Sequence, residues 1–173
     1  MTYADIEKKF EGTNFSKPQK LYLITKAWWE FLKEEEKEIE RKIVSENVFT
    51  YPKDDCPKRV GGHKRGERIT DPFDICLIAE DNKEWKRWYD LYYAEVCKRG
   101  LDKGYNVVID IDARKAYFEA CDLLVDWCFK IAKRYPSFKA ALPDDFDVNM
   151  VKRNVVYRDK VCELAMKLPG GKA

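Results

Sequence analysis

Apolar residues recur at spacings of three and four through most of this chain, and that pattern predicts helices. The strongest instance is 113–135, where Tyr117, Ala120, Cys121, Leu124, Cys128, Ile131 and Tyr135 fall on one face. Val125, Trp127 and Ala132 widen it. A helix so broadly apolar is expected to be enclosed by others. Asp112 is placed to cap its start, and Pro136 follows its end.

The same reading gives the other elements. Thr2 and Asp5 form a capping box for a short helix reaching about Glu11, with Tyr3, Ile6 and Phe10 inward. Ser16 caps a long helix over 17–45. Its first half carries Leu21, Ile24, Trp28, Phe31 and Leu32. Its second half is a mixed-sign run in which only Ile39, Ile43 and Val44 are apolar, the mark of a solvated face.

Residues 48–70 carry Pro52, Pro57, Gly61, Gly62 and Gly66, and read as a long loop. Asp71-Pro72 then opens a helix extending to about Arg99, with a division expected at Asp81-Asn82. The stretch DICLIA within it also fits a short strand. YNVVIDI, 105–111, is the best strand candidate. A short helical turn is expected over 137–142. The last helix should run over 148–168, with Val151, Val155, Val161, Cys162, Ala165 and Leu168 inward, and Pro169-Gly170-Gly171 ending it.

The fold class that follows is mostly α: a single compact domain over 1–173, of five or six helices with at most a minor strand element. The helices starting near Lys17, Pro72 and Val148 are expected to pack around the one starting at Ala113.

Composition narrows the function. The net charge of +2 is nearly balanced, so any nucleic-acid contact has to come from local patches. One is the loop, where Lys58, Arg59, Lys64, Arg65 and Arg68 cluster. The other is the last helix, with Lys152, Arg153, Tyr157, Arg158 and Lys160 expected outside its apolar stripe. The six cysteines form no CxxC, and those in helices read as small hydrophobes. The chain shows no signal peptide and no membrane span, so a reduced, cytoplasmic protein is expected.

Enzyme chemistry finds little footing. Zinc would need two close ligand pairs, and Cys56 with His63, beside Asp54 and Asp55, supplies no second pair. Gly61-Gly62-His63-Lys64-Arg65-Gly66 lacks the Walker pattern. Asp110, Asp112, Asp144, Asp145 and Asp147 suggest a metal nuclease, but they also read as caps and turn residues. No cofactor, no metal and no enzymatic activity are expected.

Residues 154–165, NVVYRDKVCELA, resemble the final helix of phage late-transcription regulators of the RinA/ArpU type. Val156-Tyr157-Arg158 and Leu164-Ala165 match that family's "TxYR" start and its Ala- and Leu-rich tail in kind. The order of a charged helix (Lys33–Ile43), a Gly pair (Gly61-Gly62) and an Asp-Pro helix start (Asp71-Pro72) is also similar. The resemblance implies a helix-turn-helix-like part over 137–168 that reads promoter DNA. Its first helix would be 137–142, and its turn is acidic through Asp144, Asp145 and Asp147. The expectation is a small DNA-binding regulator. The alternative is a protein-binding inhibitor or adaptor, for example a phage-encoded inhibitor of a host defence nuclease such as an anti-CRISPR protein. Ile39 and Ile43 sustain no heptad repeat, so the sequence sets no oligomeric state.

Overall fold

A computed structural model describes residues 1–52, 62–101, 111–131, 134–136, 142, 150 and 153–170. Six α-helices account for most of them: α1 (Tyr3–Lys9), α2 (Lys17–Glu46), α3 (Pro72–Asp81), α4 (Arg87–Lys98), α5 (Ile111–Ile131) and α6 (Val155–Met166). A 3₁₀ turn, Lys83–Lys86, lies between α3 and α4. The chain forms two compact units, one from residues 1–31 and 112–173, the other from 32–111. Helix α2 contributes to both.

In the first unit, α5 provides the central stripe. Tyr117, Cys121, Leu124, Val125, Cys128 and Ile131 are buried together with Tyr22 of α2 and with Val161, Cys162, Ala165 and Leu168. The Pro72 helix belongs to the second unit. Trp29 packs across Tyr117 at 5.2 Å and meets Phe118 edge-on at 5.9 Å between ring centroids. At the N-terminus the expected capping box is present: the Thr2 amide donates to Asp5 at 2.8 Å and the Asp5 amide to Thr2 at 3.2 Å. Tyr3 then meets Trp28 edge-on.

Ser16 caps α2 as its sequence suggests, in a box completed by Gln19. The Gln19 amide N–H donates to Ser16 Oγ at 3.3 Å, and Gln19 Oε1 accepts from the Ser16 amide at 2.9 Å. Gln19 is fully buried, and its Nε2 donates to the Ala165 and Leu168 carbonyls at 3.0 and 3.1 Å. These are carbonyls from the end of α6, where helices leave such groups unpaired. One side chain thus caps the start of one helix and the end of another. Gly170 lies so close that an added Cβ would collide with Asn14, Phe15 and Gln19.

The second unit is built around Phe49, Ile69, Trp85 and Trp88, all buried. Phe49 packs against both indoles, at 5.5 and 5.7 Å between centroids, and carries the Arg87 guanidinium on its face at 4.3 Å. The expected loop over 48–70 is closed at its base. Tyr51 donates to Glu67, Gly66 to Tyr51 and Ile69 to Phe49, a short antiparallel ladder around Thr50 and Arg68. The loop's residues 53–61 lie outside the described residues.

DICLIA is helical within α3, capped by Asp71. Asn82 ends α3 and caps the 3₁₀ turn, which gives the expected division. The charged half of α2 is only partly solvated. Arg99 reaches Glu35 at 2.8 Å, Glu38 at 3.1 Å and Glu95 at 3.1 Å, and Lys42 holds Glu95 at 2.9 Å.

No strand occurs among the described residues. Of the candidate strand 105–111, residues 105–110 lie outside them, and Ile111 opens α5. The expected turn over 137–142 is described only at Leu142, which is partly buried against the first unit's core. The last helix starts later than its pattern suggests. Asn154 is extended, at φ −125° and ψ 110°, and its side chain caps Tyr157 at 3.1 Å. Helix α6 therefore begins at Val155 rather than Val148.

Gln19→Leu keeps the bulk but strands the Ser16 amide and the Leu168 carbonyl, while the Ala165 carbonyl keeps the Leu168 amide. It should lower stability by about 2–4 kcal/mol, since each buried group left unpaired costs about 1–3 kcal/mol. Urea unfolding measures this, and a change under about 0.5 kcal/mol would show that the cap contributes no more than an ordinary surface site. Gly170→Ala should also destabilise, by steric displacement of the same cap.

Candidate nucleic-acid interface

Helix α6 has two faces of different character. Arg158, Val161, Cys162, Ala165 and Leu168 recur at helical spacing and are buried. Val156, Lys160, Glu163 and Lys167 follow one another on the opposite side and are exposed. Arg153, just before the cap, is exposed as well, and Tyr157 is half-buried against the core. Lys152 lies outside the described residues.

Arg158 corrects the sequence reading. It was expected on a DNA-facing side and is only 6% exposed. Its guanidinium lies on the Phe118 ring at 4.1 Å and 6.0 Å from the Tyr117 centroid. Its Nε has no hydrogen-bond partner and stands 4.0 Å from Asp159. A planar, weakly hydrated guanidinium suits such an aromatic seat. The signal was available: Arg158 is three residues before Val161 and four before Cys162, at the head of the inward stripe. Its charge obscured its position.

Val155 also departs from expectation. It falls two turns before Cys162 yet is 55% exposed, and Val156 is 66% exposed. The outer first turn of α6 is therefore apolar, with Arg153 before it and Lys160 after it. Val155 reads as inward from its spacing to Cys162, and its exposure is not visible in that pattern.

The basic loop belongs to the other unit. Lys64, Arg65 and Arg68 are exposed. Arg68 donates to the Val44 carbonyl at 3.3 Å, helping to cap the end of α2, so part of its donor capacity serves the fold. Lys58 and Arg59 lie outside the described residues. Gly62 and Gly66 adopt φ of 81° and 78°, which favours glycine at both bends.

His63 fixes the described end of this loop. Its Nδ1 is 3.2 Å from Glu67 and its Nε2 is 3.1 Å from Asp74 in the first turn of α3. The Lys64 amide donates to the same Glu67 carboxylate at 2.9 Å. The Asp74 bond, with help from Glu67, raises the imidazole's affinity for its proton. The Lys64 amide and the imidazole hold Glu67 below the usual carboxylate range. The sequence placed His63 in a candidate metal loop, and the carboxylates it meets make it a clamp.

Among the described residues, no group of three or more His, Cys, Asp or Glu is arranged to hold a metal ion. Asp112 lies in the first turn of α5, while Cys56, Asp54, Asp55, Asp110, Asp144, Asp145 and Asp147 lie outside the described residues. No helix among the described residues is long and apolar enough to cross a membrane. No protein-family model, curated protein or solved structure matches the chain.

The clamp has a defined pH window. A raised His63 pKa contributes stability that is fully present below about pH 6.5 and lost as pH rises through the folded-state value. A lowered Glu67 pKa contributes stability that is present above about pH 4.5 and lost in acid. The melting temperature should therefore fall from pH 6 to pH 8 by more in the native protein than in His63→Gln. Parallel profiles would show that the clamp is not linked to protonation.

Proposed function

We propose that this chain is a non-enzymatic regulatory protein that contacts DNA through the outer face of α6. The observation that carries this reading is the solvent-facing first turn of that helix, with Arg153 before the Asn154 cap and Lys160 two turns further on. A helix start favours anions through its unpaired amides, and flanking cations extend that preference to phosphate. Val155 and Val156 offer the apolar contact that thymine methyl groups accept in a major groove. The likeness of 154–165 to the final helix of RinA/ArpU-type regulators supports the same reading. Lys64 and Arg65 are the loop residues assigned to phosphate. Arg158 is withdrawn from the contact set because of its burial.

A second reading rests on the exposed valine pair itself. Two adjacent apolar residues at a helix start also suit a protein partner, as an inhibitor or adaptor would require. The near-balanced net charge agrees with it.

Fluorescence anisotropy with a labelled random duplex, at low and then physiological salt, tests the first reading. Affinity should fall steeply with salt. The double change Arg153→Glu, Lys160→Glu should weaken low-salt binding at least ~10-fold and remove about two units from the log–log salt slope, about 0.9 per phosphate contact. Arg158→Leu should alter stability and leave the salt slope of the folded protein unchanged. No binding at low salt would contradict the DNA reading. A protein complex weakened by Val155→Ser, Val156→Ser would then support the second.

A further inference from the structure

A pocket of about 530 Å³ opens at the base of the loop in the second unit. Trp85, Tyr51 and Pro52 give it flat apolar walls, and Thr50, Asn82 and Glu84 bring polar groups to the same space. The frame around it is fixed. The Tyr51 amide donates to the Glu67 carbonyl at 2.6 Å, and the Tyr51 carbonyl accepts from Gly66 at 3.1 Å. Asn82 Oδ1 accepts from the Glu84 amide at 2.9 Å, which sets the 3₁₀ turn carrying Glu84 and Trp85. Trp85 is itself buried and packs on Phe49 at 5.5 Å between centroids.

The charge in this pocket has no counterpart. The Glu84 carboxylate and the Thr50 hydroxyl make no hydrogen bond or ion pair among the described residues. Lys83 and Lys86 flank Glu84 in sequence, yet neither pairs with it. Arg87 is turned elsewhere, donating to the Val48 carbonyl and lying on the Phe49 ring. No lysine or arginine lines the space. A carboxylate beside aromatic walls asks for a ligand that is cationic, flat and rich in N–H donors.

We propose that this pocket binds a guanidinium group, which donates to the Glu84 carboxylate and lies against Trp85 and Tyr51. A guanidinium is planar, stacks on aromatic faces and meets a carboxylate with two parallel N–H groups. An ammonium would use the charge alone, because it is compact and strongly hydrated. A phosphate would be repelled by Glu84, so this site is separate from the phosphate contacts assigned to α6 and to the loop. A small free guanidine and an arginine side chain of a partner protein present the same head group.

The test is a nuclear magnetic resonance titration of the full, isotope-labelled chain with argininamide at constant ionic strength. Signals of Thr50, Asn82 and Glu84 should shift in a saturable way, and those of α6 should stay in place. Lysinamide should bind at least ~10-fold more weakly, and Glu84→Gln should weaken argininamide by a similar factor, the size expected of a charge-assisted hydrogen bond. The variant should keep the native melting temperature, since the Glu84 side chain is exposed and holds nothing in the fold. A capped tripeptide with a central arginine separates the two sources. Tighter binding than argininamide assigns the site to a protein's arginine, and weaker binding assigns it to a small guanidine. Absence of a saturable shift at any non-denaturing concentration would overturn the proposal. So would equal binding of lysinamide, or an unchanged affinity in Glu84→Gln.

Discussion

The buried amide of Gln19 is the contact on which the first unit depends. It is a polar group placed where water cannot reach, so each of its bonds has to be made within the protein. Those bonds join the first turn of α2 to the last turn of α6, more than a hundred residues apart in the chain. Both helix ends would otherwise leave backbone groups unpaired in the interior. Gly170 is needed because the chain leaving α6 passes directly over Asn14 and Phe15. The apolar stripe of α5 is then covered by an α2 and an α6 whose ends are already tied together.

That arrangement divides the labour of α6. Its inner face is committed to packing, down to an arginine laid on Phe118. Its outer face is left with cations, two exposed valines and a helix start capped by Asn154. The inner set fixes how the outer set is presented. The second unit follows a similar logic. A ladder and a stack of aromatic rings close the base of the loop, and the His63 clamp holds Lys64 and Arg65 beside the start of α3.

Much of this was legible in the sequence, for identifiable reasons. The α5 stripe, the Thr2–Asp5 box, the Ser16 cap and the Asp71-Pro72 start are local signals, and each appears in the structure. The mostly helical class follows from them. Less legible were features that depend on distant partners. Gln19 completes a recognisable local box, but nothing nearby announces that its amide also serves Ala165 and Leu168. Arg158 lies on the apolar stripe, and the usual rule that arginine is exposed concealed it. Periodicity identifies an apolar face but not its partner, and the Pro72 helix, expected around α5, falls in the second unit. The unit boundary falls inside α2, between Phe31 and Leu32, where the apolar first half gives way to the charged run; no glycine or proline marks it. For the candidate site, the exposure of Arg153, Lys160, Lys64 and Arg65 agrees with the sequence. Val155 at the head of α6 reads as core because it shares the stripe of Cys162, yet it is exposed.

The central claim is that segments from opposite ends of the chain form one cooperative unit secured at the α2–α6 junction. Hydrogen exchange of the native protein and of a Gly170→Val variant tests it most directly. Loss of protection should spread together through α1, residues 17–31 of α2, α5 and α6, while α3 and α4 keep theirs. Loss confined to the last turn of α6 would contradict the claim and reduce the junction to a local cap.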